Sequence, residues 1–362
     1  MEYLYQYLVF LAEAVTVVVA LLIIISAMAS LSARQQASPQ GYLKIEKLND
    51  RVKDLRHAME ASILAPDVLK KQHKAEAKAE KQKQKQKLTA KEAAKEAAKD
   101  TGKEADSAEN QTAEHPQNIY VLRFEGDVKA SAVDHLSMEV SAILTMATQK
   151  DRVVALVESP GGMVHSYGLA ASQLTRFRNA EVPLTVCVDK VAASGGYLMA
   201  AVANHIVAAP FALLGSIGVV AQVPNVHRLL KKNDVDVEVL TAGKYKRTLT
   251  MFGENTDDGR QKFVEELEDV HQLFQEFVSD YRPSLDMDQV ATGEAWYGRR
   301  ALDLNLIDAI ATSDEMLVEA CQHSEVYAVS WEYHKKPIDR FMDRVNGTLK
   351  QIEDTIGRFT QA

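Results

Sequence analysis

The sequence predicts an α/β protein. Short apolar runs read as fully buried strands, helical periodicities lie between them, and turns rich in Gly and Ser follow the runs. Residues 119–124 (Ile-Tyr-Val-Leu-Arg-Phe) are the first β-rich run, followed by Gly126. Residues 133–148 place Val133, Leu136, Val140, Ile143 and Leu144 on one helix face. Residues 153–157 (Val-Val-Ala-Leu-Val) form the next strand, ended by Ser159-Pro160-Gly161-Gly162, and residues 169–177 read as the helix after it. Residues 184–188 are a further strand, leading through a Gly-rich elbow into an apolar helix at 197–203 and another strand at 206–208. Such alternation implies a parallel sheet covered on both faces, whose strands are apolar throughout. Residues 191–223 are apolar enough to imitate a membrane span, but Asn204, His205, Pro210, nearby Pro224 and four glycines divide them into helix, strand and turn.

The net charge of −8 over 362 residues is a sum of three unlike parts. Residues 1–33 hold two acids, Glu2 and Glu13, and no Lys or Arg. From Ala14 to Ala33 the chain is uncharged, long enough for a helix to cross a bilayer, and Tyr3, Tyr5 and Tyr7 suit its interface. A cleaved signal peptide is the alternative. Ala27-Met28-Ala29 fits its cleavage site, but the basic leader such a peptide needs is missing. Residues 34–116 carry 18 basic and 14 acidic side chains. Within them 70–99 is low complexity, too poor in large apolar residues to build a core, and reads as a charged helical linker. Its lysines suit anionic lipid if it lies on the cytoplasmic side. Weak helical periodicity at 42–69 suggests a short helix near the membrane.

The folded part carries 24 basic and 34 acidic residues, which argues against nucleic acid as a partner. It divides into a catalytic-type domain at 117–315 and an extension at 316–362. In that extension Ile338, Phe341, Val345, Leu349, Ile352, Ile356 and Phe359 line one helix face. Two cysteines, Cys187 and Cys321, exclude a disulfide scaffold and a multi-thiolate metal site. Neither metal nor organic cofactor is expected.

Four short motifs carry chemistry. Ser194 in Ala-Ala-Ser-Gly-Gly-Tyr stands between a strand and an apolar helix, where small neighbours expose its hydroxyl and helix amides favour developing negative charge. Read plainly, it is a helix N-cap. Ser159-Pro160-Gly161-Gly162 lets backbone amides turn outward, as an oxyanion hole requires, or is an ordinary strand-to-helix turn. Gly243-Lys244-Tyr245-Lys246-Arg247 offers a lysine base, provided burial lowers its pKa, or is a basic surface turn. Composition excludes only Arg247, which stays charged. Gly215-Ser216-Ile217-Gly218 offers a hydroxyl to orient an amine, or is a plain turn.

Together and in this order the motifs resemble the SppA/SohB serine peptidases, the signal peptide peptidase A type, over roughly residues 117–315. The anchor and spacer are in keeping. The resemblance implies a ClpP/crotonase-like spiral of β-β-α units. It makes Ser194 the nucleophile and Lys246, closing Gly-x-x-Lys, the general base, with Lys244 in a variable slot. Ser216 would orient the Lys246 amine, and the Gly162 and Gly195 amides would form the oxyanion hole. It further implies hydrophobic, extended peptide substrates such as remnant signal peptides, and a homo-oligomeric ring, with the dyad either self-contained or completed across a neighbour. A histidine triad is the alternative within the class, from His165, His205 or His227. Outside it stand a crotonase-like acyl-CoA enzyme and a non-catalytic membrane scaffold. The chain is expected in a bacterial inner membrane with a single span. Arg34, Lys44, Lys47, Arg51 and Lys53 after the span lean the domain towards the cytoplasm, whereas signal peptide peptidase A itself faces the periplasm.

Overall fold

The structure, a computed structural model, describes residues 41–71 and 117–333 together with isolated positions 16, 74, 78 and 82. The anchor expected at 14–33 (save position 16), most of the low-complexity linker and the amphipathic C-terminal helix lie outside the described residues. Among those described, no helix is long and apolar enough to cross a membrane.

In chain order the elements are β1 (Gly41–Lys47), α1 (Leu48–Ile63), β2 (Asn118–Glu125), α2 (Val133–Leu144), β3 (Arg152–Glu158), α3 (Val164–Asn179), β4 (Leu184–Val188), β5 (Val191–Ala193), α4 (Gly195–Ala201) and β6 (His205–Ala208). There follow β7 (Leu213–Gly215), α5 (His227–Lys232), α6 (Asp257–Tyr281), α7 (Met287–Val290), β8 (Ala295–Tyr297), α8 (Gly298–Asp303), β9 (Ala309–Ile310), α9 (Ser313–His323) and β10 (Glu325–Tyr333). The α/β class is as the sequence predicts. Two sheets carry it, one of seven strands in the order β1-β10-β2-β3-β4-β6-β9 and one of three in the order β5-β7-β8. From β10 to β9 each neighbouring pair is parallel. The small sheet is mixed, with β5–β7 parallel and β7–β8 antiparallel.

Alternation along the strands builds two apolar layers. Val121, Val154, Leu156, Cys187, Val207 and Val326 face one side, where Leu48 of α1 and Met316, Leu317 and Ala320 of α9 pack on them. The intervening residues Leu122, Phe124, Val153, Ala155, Val157, Leu184, Val186 and Val188 are also buried, because a sheet parallel throughout is covered twice. Helix α3 buries Tyr167, Ala170, Ala171, Leu174 and Phe177, and each large side chain among them contributes about 1.5–3 kcal/mol.

The described residues fall into two units, a larger one within 45–330 and a smaller one joining 41–44 with 331–333. The larger unit runs further at both ends than 117–315. Asn49 fastens its start by donating to the Cys321 and Ser324 carbonyls (3.0 and 2.8 Å) and accepting from the Val326 amide (2.8 Å). Within the smaller unit the Tyr42 hydroxyl and the Lys44 ammonium both reach Glu332, at 2.8 and 3.1 Å.

Several helices differ from expectation: where periodicity suggested a helix at 42–69, residues 41–47 form strand β1 and the helix is Leu48–Ile63. Helix α3 begins at Val164 rather than 169, directly after the extended residue Met163. Helix α6, 25 residues long, is absent from the sequence reading although Thr256 caps it, accepting from the Gly259 amide, and Asp257 and Asp258 favour its first turn. It buries only Val278 and lines the site instead.

Candidate active site

The site forms where the two sheets meet. Strand β3 ends at Glu158, and Ser159 continues it by bridging to Ala192 of β5: the Ser159 amide donates to the Val191 carbonyl (2.8 Å) and the Ala193 amide to the Ser159 carbonyl (3.0 Å). Strand β5 pairs with β7, Ala193 opposite Gly215. The next residue on each strand is a serine, so Ser194 and Ser216 emerge as neighbours. Each takes a positive φ, 52° and 50°, which an L side chain adopts only when its surroundings impose it. For Ser194 the amide is tied to the Gly215 carbonyl (2.8 Å), and its own carbonyl receives the Leu198 amide as α4 begins (2.9 Å). Its side chain caps nothing, so the hydroxyl is free for chemistry rather than committed as an N-cap.

The Ser-Pro-Gly-Gly turn packs against this elbow. A Cβ on Gly161, whose φ is +89°, would lie 2.7 Å from the Ser194 Cβ and 2.9 Å from the Gly195 nitrogen. Gly161 is therefore the point where the turn touches Ser194. The turn is held by a buried relay: the Gly161 amide donates to Ser159 Oγ (3.1 Å), Ser159 donates to Tyr167 Oη, and Tyr167 donates to the Asp127 carbonyl (2.8 Å). Burial pushes the Tyr167 phenol above its ordinary value, the Ser159 bond opposing and the Asp127 charge assisting, so it remains a donor. The Met163 amide is tied to the Val128 carbonyl (2.8 Å). Between these anchored neighbours the Gly162 amide has no acceptor among the described residues, nor has the Gly195 amide at the start of α4. Ser194, Gly162 and Gly195 line one cleft of about 390 Å³, walled by Val164 and Tyr167 of α3, Leu198, Val219, and Val270, Leu273, Phe274 and Phe277 of α6.

Lys246 is placed differently. It lies in a loop whose residues 233–247 are all exposed, and it is not among the cleft-lining residues. Lys244 is engaged by Tyr245, its ammonium 4.8 Å from the ring centre, and bonding to that phenol holds its pKa above the ordinary value. A lysine so held is a poor base. Ser216 Oγ donates to the Gly293 carbonyl at 3.3 Å.

The histidine alternatives stand away from the cleft. His165 is exposed on α3. The His205 ring is 3.8 Å from Asp308, and His227 meets the Phe252 carbonyl. Sequence reasoning missed Ser159 and Tyr167 as supports of the turn and the whole of α6 as a cleft wall. Among the described residues no group of His, Cys, Asp or Glu is arranged to hold a metal ion. Burial pushes the Cys187 thiol up to about 12, leaving it a packing residue.

A strained serine opening a helix, beside two unpaired glycine amides at the mouth of an apolar cleft, is a serine-hydrolase arrangement. Models of peptidase family S49 match the chain, the N-terminal one over residues 2–174 and the main one over 176–327. The chain belongs to peptidase family S49, whose members are serine proteases. It is 56% identical over 223 residues to a probable protease SohB of Haemophilus influenzae, covering 62% of this chain and 63% of that one. It is 50% identical over 235 residues to a probable protease SohB of Buchnera aphidicola subsp. Acyrthosiphon pisum, covering 65% and 70%. A solved structure titled 1510-N membrane-bound stomatin-specific protease matches at 12% identity and a TM-score of 0.39, covering 59% of this chain and 98% of that one.

Proposed function

We propose that this chain is a membrane-anchored serine endopeptidase that cleaves hydrophobic, extended peptides, such as remnant signal peptides, with a Ser194–Lys246 dyad. The observation that carries the proposal is the strained Ser194 beside the free Gly162 and Gly195 amides in an apolar cleft. Neutral Lys246 takes the Ser194 proton as the hydroxyl oxygen attacks a peptide carbonyl, and the two amides receive the oxyanion. Lys246 then protonates the leaving amine, and water releases the acyl group from Ser194. Ser216, beside Ser194 on the paired strand, holds the lysine amine in line. The fold is a ClpP/crotonase-like spiral, and copies associate in a ring at the bacterial inner membrane, anchored by residues 14–33.

Lys246 enters the site from a neighbouring copy. In support, the loop before it exposes Val235, Val237 and Val239 in the alternation of a strand, followed by Leu240 at 88%. Apolar side chains displayed this way are covered by a partner in a stable protein, and covering them also desolvates Lys246, as its role as a base requires.

The test is intact-mass detection of an acyl adduct after treatment with an active-site acylating probe. The adduct is expected on the wild-type chain and absent from Ser194→Ala, with peptide cleavage lost in both Ser194→Ala and Lys246→Ala. Normal turnover in either variant overturns the dyad.

A further inference from the structure

The cleft is not uniform along its length. Helices α3 and α6 form its two long walls and run the same way. At the near end His271 of α6 meets the Ile217 carbonyl (3.2 Å), one residue beyond Ser216, and at the far end the Tyr281 hydroxyl donates to Thr175 of α3 (3.4 Å). The α3 wall exposes Val164, Gly168 and Ser172, successive positions on one helix face. At 1.5 Å per residue that face extends about 12 Å from the nucleophile end. Opposite it α6 presents Val270, Leu273, Phe274 and Phe277, then Asp280, with Glu276 on the same wall.

The cleft is thus an apolar trough that begins at Ser194, and the Glu276 and Asp280 carboxylates line its α6 wall towards the Tyr281–Thr175 end. Gln272 already donates to Glu276 (2.8 Å). Asp280, exposed at the trough's end, has no hydrogen bond or ion pair among the described residues. The nearby guanidinium, Arg178, is turned onto the Tyr281 ring, 5.9 Å from its centre. An extended peptide advances about 3.3 Å per residue, so about four residues bridge the trough.

We propose that Asp280, assisted by Glu276, is a specificity residue that favours peptides carrying Lys or Arg about three to four residues from the cleaved bond, with apolar residues between. The inference rests on the serine-peptidase reading of the same cleft. It refines the substrate class from hydrophobic peptides to hydrophobic peptides flanked by a cation. Asp280 acts by charge alone, because the cation's ammonium or guanidinium reaches it only in the bound complex.

The test uses the full chain and three apolar peptides that differ at one position, Lys, norleucine or Glu, in sets that place this residue on either side of the bond. Binding is read by fluorescence anisotropy on the Ser194→Ala chain, and cleavage on the wild type. In one set the Lys peptide is expected to bind and be cleaved about three- to fivefold better than the norleucine peptide, the scale of an exposed ion pair, with the Glu peptide worst. Asp280→Asn removes the preference, and Asp280→Lys reverses it towards Glu. Equal handling of the three peptides in both sets, or a preference that survives Asp280→Asn, overturns the inference while leaving the peptidase reading intact. Charge-selective binding without any cleavage by the wild type upholds the inference and overturns the peptidase reading.

Discussion

Ser194 and Lys246 are separated by 52 residues and by two ways of building a site. Around the serine almost every neighbour is buried and bonded. Ala192, Gly195, Gly196 and Tyr197 have little or no exposure, and the relay from Gly161 through Ser159 and Tyr167 to Asp127 fastens the turn beneath it. Around the lysine, residues 231–247 are all exposed. On the proposed reading, Ser194 and the Gly162 and Gly195 amides are organised within one chain before substrate arrives, which is the condition for electrostatic stabilisation without reorganisation. The proposed base, Lys246, sits on an exposed loop outside the cleft lining. The contrast is between a centre fixed by buried bonds and a lysine held on an exposed loop.

The largest expected effect tests that contrast directly. Ser194→Ala and Lys246→Ala should each lower peptide turnover about 10³-fold or more, and mixing the two inactive chains should restore part of it, measured with a quenched fluorescent peptide. A mixture that stays inactive breaks the idea that the lysine side is supplied by a neighbour.

The next effect probes the serine side. Gly161→Ala forces a Cβ to within 2.7 Å of the Ser194 Cβ at a left-handed φ, a strain of about 1–3 kcal/mol. Because displacing the nucleophile by about 1 Å costs on the order of 10²-fold, turnover should fall by that factor while the melting temperature drops only moderately. Unchanged turnover would remove Gly161 from the support of the elbow.

Smaller still is the loss of the relay. Ser159→Ala leaves the buried Gly161 amide and Tyr167 oxygen each short of a partner and should cost about 1–3 kcal/mol in urea unfolding. Combined with Tyr167→Phe, the loss should be less than the sum of the two, as members of one network couple. Strict additivity would show that the three groups do not act as one support.

The smallest effect concerns the Arg282–Asp308 pair, which ties the end of α6 to β6. Burial alone would raise the Asp308 carboxyl, but bonds from the Arg282 guanidinium (2.8 and 2.9 Å) and the Ile206 amide (2.7 Å) outweigh it and hold the pKa below the ordinary value. The fold therefore favours the ionised form. Its stabilising contribution is complete above the ordinary carboxylate range near about pH 4 and fades as pH falls through the lower, folded value. Urea midpoints at pH 7 and at acid pH should reveal this loss, and Asp308→Asn should remove that share of the pH dependence.

Strands β2, β3, β4 and β6 were legible because burial on both faces writes an uninterrupted apolar run into the chain. Strands β5, β7 and β8 were not, since three residues such as Val-Ala-Ala carry no period at all. Helix α6 left signals that went unread, a Thr256 cap and apolar residues at Phe263, Leu267, Val270, Phe274, Phe277 and Tyr281. Its charged remainder reads as solvent-facing, and it packs against a cleft rather than a core. In the site, Ser194, Gly162 and Gly195 were legible as small-residue turns between strand and helix. The support given by Ser159 and Tyr167 was not legible, because the bond between them joins positions whose proximity the fold alone creates.

By itself the sequence determined the α/β class, the buried strands and the Ser-Gly-Gly elbow, because strand burial and short-range backbone sterics depend on residues adjacent in the chain. Only the tertiary structure decided that Ala193 lies opposite Gly215, bringing Ser194 beside Ser216, that the Gly161 turn closes on Ser194, and that α6 walls the cleft. Register and helix placement come from contacts between segments tens of residues apart, and no local pattern encodes which of many compatible pairings packs without voids.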